Sequence, residues 1–161
     1  MGLTCGVPWV VEGIHCDVGP DWAGSIMLGE LVVPDWIARP PALTSLSFEC
    51  SWTDGGVGAA WVHVVGELDS ASAPQLERAL RGSQARAPLV VLDLRELAFM
   101  DSSGVHVIVD ASIRAREADR RLVVLRGPPN VDRVFALTGT SEVVEIAEVS
   151  SFLALIEAEP V

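Results

Sequence analysis

Two nearly continuous apolar runs, "PLVVLDL" at 88–94 and "RLVVLRG" at 121–127, most constrain how this chain can fold. A strand apolar at almost every position has to be covered on both faces, which is the signature of an interior strand in a parallel sheet. The segment between them, from "SSGVHVIVDAS" onward, carries Val105, Ile108, Val109 and Ser112 on one side and reads as an amphipathic helix. Strand, helix, strand in that order requires a crossover connection, with the helix packed on the sheet.

Upstream, "LSFECSW" and "AAWVHVVG" read as two strands joined around Asp54, Gly55 and Gly56, a turn-forming cluster that fits a hairpin. "SASAPQLERALRG" reads as a helix with Ser72 as N-cap, Gln75 completing a capping box and Leu76, Ala79 and Leu80 on one face. Downstream, "NVDRVFALTG" predicts a short helix ending at Gly139, "SEVVEIA" a last strand, and "SSFLALIEAE" a terminal helix capped by Ser150 or Ser151. The class is α/β with a mixed sheet.

The first 42 residues differ in character. Trp9, Trp22 and Trp36 are scattered among Gly and Pro, and "PDWIARPPAL" ends in a helix-hostile Pro pair. The boundary is placed near Pro41: residues 1–42 are an N-terminal extension that need not be ordered, and 43–161 are the domain.

A formal net charge of -11 disfavours sequence-independent binding to nucleic acid or anionic lipid, so the expected partner is a protein or a small ligand. Cys5, Cys16 and Cys50 are odd in number and lack CxxC spacing, which suggests neither a zinc site nor a disulfide framework. No basic segment precedes an apolar stretch, and no run approaches the ~18 apolar residues of a membrane span, so a cytoplasmic location is expected. Neither GxGxxG nor GxxxxGK occurs, so nucleotide binding by those loops is not expected, nor is any cofactor or metal.

"FMDSSGVHVIVDAS" at 99–112 carries the functional question. Asp101 or Ser102 can cap the helix that follows, and capping alone accounts for such residues. The same placement sets the Ser102 and Ser103 hydroxyls at a helix N-terminus, where an added phosphate would meet the favourable end of the helix dipole. His106, four residues on, raises a Ser-His nucleophile. That reading is disfavoured because an i, i+4 pair rarely aims a base at a cap hydroxyl and the GxSxG elbow is absent.

"VVGELDSASA" at 64–73, "LVVLDLRELAFMDSSGVHVIVDA" at 89–111 and then "RLVVLRGPPNVDRVFALTG" together resemble the STAS domain of bacterial anti-sigma factor antagonists, over roughly residues 45 to 158. The resemblance implies a mixed sheet of about five strands with helices mainly on one face. It implies a non-enzymatic regulator of transcription, as in a stress response. Unphosphorylated, the antagonist binds an anti-sigma factor that is also a serine kinase and frees a sigma factor; phosphorylation switches it off, and a serine phosphatase is expected to reverse this. In the family the phosphorylated residue is the first hydroxyl of D-S-[ST]-G, here Ser102. Carried over in the same way, the partner-binding face holds Glu67, Asp69, Asp101, Ser102, Ser103, Gly104 and His106. One departure stands out: close members carry an apolar and then a small residue after the glycine, whereas this chain has Val105 and His106, which bears on which kinase fits. The alternative is a STAS adaptor that is never phosphorylated, in a lipid-transport or signalling assembly.

Overall fold

The computed structural model describes residues 26–28, 31–38, 47–56 and 58–158. Cys5, Trp9, Cys16, Trp22 and the boundary at Pro41 lie outside them. A two-stranded antiparallel ribbon, β1 (Ile26–Leu28) and β2 (Leu31–Val33), leads into a single helical turn, α1 (Asp35–Ala38). Then follow β3 (Glu49–Asp54), β4 (Ala59–Leu68), α2 (Ala73–Arg86), β5 (Leu89–Met100), α3 (Ser102–Glu117), β6 (Arg121–Leu125), α4 (Pro129–Thr138), β7 (Glu145–Ala147) and α5 (Val149–Ala158).

The five-stranded sheet has the order β3-β4-β5-β6-β7. Its first pair is antiparallel and the other three are parallel, the mixed sheet that a hairpin followed by crossovers demands. The hairpin closes where the turn residues stand: the Gly56 N–H donates to Asp54 Oδ1 at 2.8 Å, and Gly56 and Gly58 adopt φ of 66° and 78°.

The two interior apolar runs are β5 and β6, buried on both faces. On one face Val90, Leu92, Leu94 and Val124 pack with Leu76 and Leu80 of α2, Ile108 and Ala111 of α3, and Val131 and Phe135 of α4. On the other, Val91, Val123 and Leu125 meet Trp61, with Val33 and Ile37 from the N-terminal segment and Phe152 of α5 above them. Val33 and Ile37 are each 1% exposed, so part of the segment placed before Pro41 contributes to the core. Two such side chains are worth about 3–6 kcal/mol of apolar burial.

Four local expectations differ from the structure. The capping box at Ser72 does not form: no side chain caps α2, and the Ser72 hydroxyl turns back to Asp69. The strand read at 88–94 does not end there, because β5 stays paired with β4 to Met100 by accommodating two register shifts. The last strand is only Glu145–Ala147, since a 3₁₀ turn at Thr140–Glu142 takes up the preceding residues. Helix α5 begins at Val149, which places Ser150 and Ser151 inside its first turn.

Candidate functional site

The parallel register Leu68↔Met100 brings the C-terminal ends of β4 and β5 side by side, and with them the two loops that carry the polar motifs. The Asp101 N–H donates to the Leu68 carbonyl at 3.0 Å, which ties the start of α3 to the end of β4. Asp101 is the N-cap: it is extended (φ -101°, ψ -177°), and its Oδ1 accepts from the N–H groups of Ser103 at 2.8 Å and Gly104 at 3.3 Å. Of the two capping candidates the structure therefore selects Asp101, leaving Ser102 as the first helical residue with its side chain exposed.

Ser103 is half-buried, and Gly104 is buried at a position whose packing requires glycine. A Cβ there would lie 2.7 Å from Leu68 Cδ2 and 2.8 Å from both Leu68 Cγ and Met100 Cγ. The close approach of helix to strands is what brings the first turn of α3 down onto the sheet. His106 is exposed one turn on, and no hydrogen bond joins it to Ser102.

The second loop is held by Asp69. Its Oδ1 accepts from the N–H groups of Ala71 and Ser72, both at 2.9 Å, and from the Ser72 hydroxyl at 3.0 Å. Ser72 reciprocates, its hydroxyl oxygen accepting from the Asp69 N–H at 2.9 Å. These donors, Ser72 first, hold the Asp69 carboxyl below the usual aspartate range. The family-matched Asp69 is therefore chiefly the residue that shapes its own loop, whereas Glu67, exposed at the end of β4, faces solvent.

Sequence reasoning missed Phe99. It is 47% exposed and pairs with Glu67 across the β4–β5 register, two residues before Asp101. An apolar residue in an apolar stretch gave no signal; only the second register shift, between Gly66 and Glu67, leaves Phe99 exposed while Leu97 and Met100 stay buried.

The surface thus collects an exposed hydroxyl at a helix N-terminus, the carboxylates of Glu67, Asp69 and Asp101, and an exposed aromatic ring. Such a surface can accept a phosphoryl group and contact a partner. Among the described residues no group of three or more His, Cys, Asp or Glu side chains could hold a metal ion, and no helix is long and apolar enough to cross a membrane.

Comparison with known proteins bears on what the surface does. The STAS domain model matches residues 53–152. The chain is 35% identical over 89 residues to the anti-sigma-B factor antagonist of Listeria monocytogenes, spanning 55% of this chain and 78% of that one. Among solved structures, an anti-sigma factor antagonist from Mycobacterium paratuberculosis superposes with a TM-score of 0.59 at 24% identity, covering 71% of this chain and 98% of the other. The anti-sigma factor antagonist SpoIIAA in its unphosphorylated form superposes with a TM-score of 0.57 at 19% identity over 70% of this chain and 98% of its own. At these identities the structural likeness speaks for the fold alone.

Proposed function

The chain belongs to the STAS domain family of anti-sigma factor antagonists, and we propose that it works by partner switching, with Ser102 as the phosphoacceptor. Unphosphorylated, it binds an anti-sigma factor that is also a serine kinase and so frees a sigma factor; phosphorylated, it lets go, and a serine phosphatase resets it. The observation that carries this reading is the division of labour at the start of α3. Asp101 does the capping, so the Ser102 hydroxyl is exposed rather than committed to the helix.

The chemistry of the two states follows. A phosphate on Ser102 adds a charge of about -1.5 to -2 at the positive end of the helix dipole, which the protein itself can accommodate. The partner meets that charge beside Asp101 in a close contact, where bulk and desolvation oppose binding. Glu67, Asp101, Ser103 and His106 complete the contact, with Gly104 buried beneath it seating the helix on the sheet and Asp69 fixing the loop beside it, and a cytoplasmic site of action goes with such a partner.

The test is to incubate the protein with its anti-sigma factor kinase and ATP, locate the phosphate by mass spectrometry, and measure kinase binding. Ser102→Ala should bind and resist modification, Ser103→Ala should still be phosphorylated at Ser102, and Ser102→Asp should bind at least tenfold more weakly while melting near the wild-type temperature. Phosphate found only at Ser103, or a Ser102→Asp protein that binds as tightly as Ser102→Ala, refutes the assignment.

A further inference from the structure

The segment Leu31–Ala38 lies across the sheet face opposite α2–α4 and outside the matched residues 53–152. Its attachments are specific. The Val32 N–H donates to the Gly55 carbonyl and the Val32 carbonyl accepts from Trp61 Nε1, each at 3.0 Å. The Trp36 ring stacks on His63 with centroids 4.6 Å apart and planes 19° from parallel. Arg95 Nη2 donates to the Trp36 carbonyl at 3.1 Å.

Arg95 stands at an unusual point in β5. Between His63↔Asp93 and Val65↔Glu96 the register advances two residues on β4 but three on β5, so Leu94 and Arg95 form a bulge. The guanidinium clamps that bulge: Nε lies 3.0 and 3.2 Å from the two Asp93 carboxylate oxygens, Nη2 lies 2.9 Å from Oδ2, and the Arg95 N–H donates to Oδ1 at 2.9 Å. Asp93 is 0% exposed, so Arg95 rather than water satisfies its carboxylate oxygens. Past the bulge, Glu96 Oε1 stands 3.4 Å from Nε2 of the same His63 that carries Trp36. The segment therefore touches Arg95 within the bulge and His63, whose side chain reaches Glu96 beyond it.

We propose that Arg95 is a positioning residue for the Asp101–Gly104 turn, and that Leu31–Ala38 acts as a strap which, through Arg95, holds β5 in the register that presents Ser102. The physical reason is that a strand has period two. Downstream of the bulge, Leu97 and Met100 face the core, Phe99 faces out and Asp101 reaches the Leu68 carbonyl; a one-residue slip reverses every one of these assignments. The bulge is where the register changes, and here it is held by a fork of hydrogen bonds whose outermost member is supplied by the strap. Displacing the strap should loosen the end of β5 without unfolding the helical face.

The significance for regulation rests on the reading of Ser102 above, but the test does not, so the two can fail separately. Backbone amide hydrogen exchange is measured on the full chain carrying Ile37→Asp, which puts a charge into the buried strap contact, and Trp36→Ala, which removes the stack. A third protein carries Asp93→Asn with Arg95→Met, which removes the clamp without leaving a buried charge unpaired. In each, amides of residues 101–104 should exchange about tenfold or more faster, with Leu76–Leu80 of α2 unchanged. Unchanged exchange at 101–104, or an equal rise at 101–104 and in α2, overturns the proposal. If Ile37→Asp does not fold, the same two criteria apply to the other proteins.

Discussion

Replacing Gly66 by Ala should be among the most damaging small changes in the chain. Gly66 has φ +92°, a conformation L side chains rarely adopt, and an added Cβ would lie 2.0 Å from the Ser47 carbonyl oxygen and 2.6 Å from its carbon. The left-handed backbone alone costs about 1–2 kcal/mol. The clash is with backbone, which cannot rotate away as a side-chain tip would, and overpacking of this kind adds about 1–3 kcal/mol. Gly139 supplies the internal control: its φ is +67°, and nothing lies within 4 Å of the position a Cβ would take. Gly139→Ala should therefore show the backbone cost alone. Urea unfolding followed by tryptophan fluorescence should place Gly66→Ala about 1–3 kcal/mol below Gly139→Ala, with equal m-values. A Gly66→Ala protein no less stable than Gly139→Ala would mean that β4 and Ser47 separate readily, and that the close approach at the GELD segment does not constrain the fold.

Two further predictions concern the site. Asp101→Ala should cost about 1 kcal/mol, the usual value of a lost N-cap, whereas Asp101→Asn should lose far less because an amide oxygen accepts the same hydrogen bonds; thermal melting separates them by a few degrees. For Asp69, a carboxyl held below the usual range means the folded protein binds its proton less readily than the unfolded chain. The stabilisation is thus fully present above the ordinary aspartate pKa and is lost as pH falls through the lowered folded value. Asp69→Asn should remove that contribution, so its urea midpoint should decline less steeply with acid than the wild type's; coincident slopes would show that the Ser72 and Ala71 donors do not favour the ionised form.

How much of this was legible in the sequence depends on whether the interaction concerned is local. The apolar runs at 89–94 and 122–125, the turn cluster at Asp54–Gly56 and the amphipathic pattern from Val105 fix their elements by period and turn chemistry, which neighbouring residues determine among themselves. The D-S-S-G motif was likewise readable, because an acidic cap followed by hydroxyls and a glycine is a local arrangement; the choice of Asp101 over Ser102 as the cap was not, since either hydrogen-bonds equally well until the chain direction is set by Leu68. The role of Ser72 differs from its sequence reading for the same reason. Its hydroxyl can serve α2 or Asp69, and the β4 end decides in favour of Asp69. Phe99, the two bulges in β5 and the burial of Val33 and Ile37 were beyond sequence altogether. Each is settled by a partner strand or face far away in the chain, and register and burial exist only once those surfaces meet.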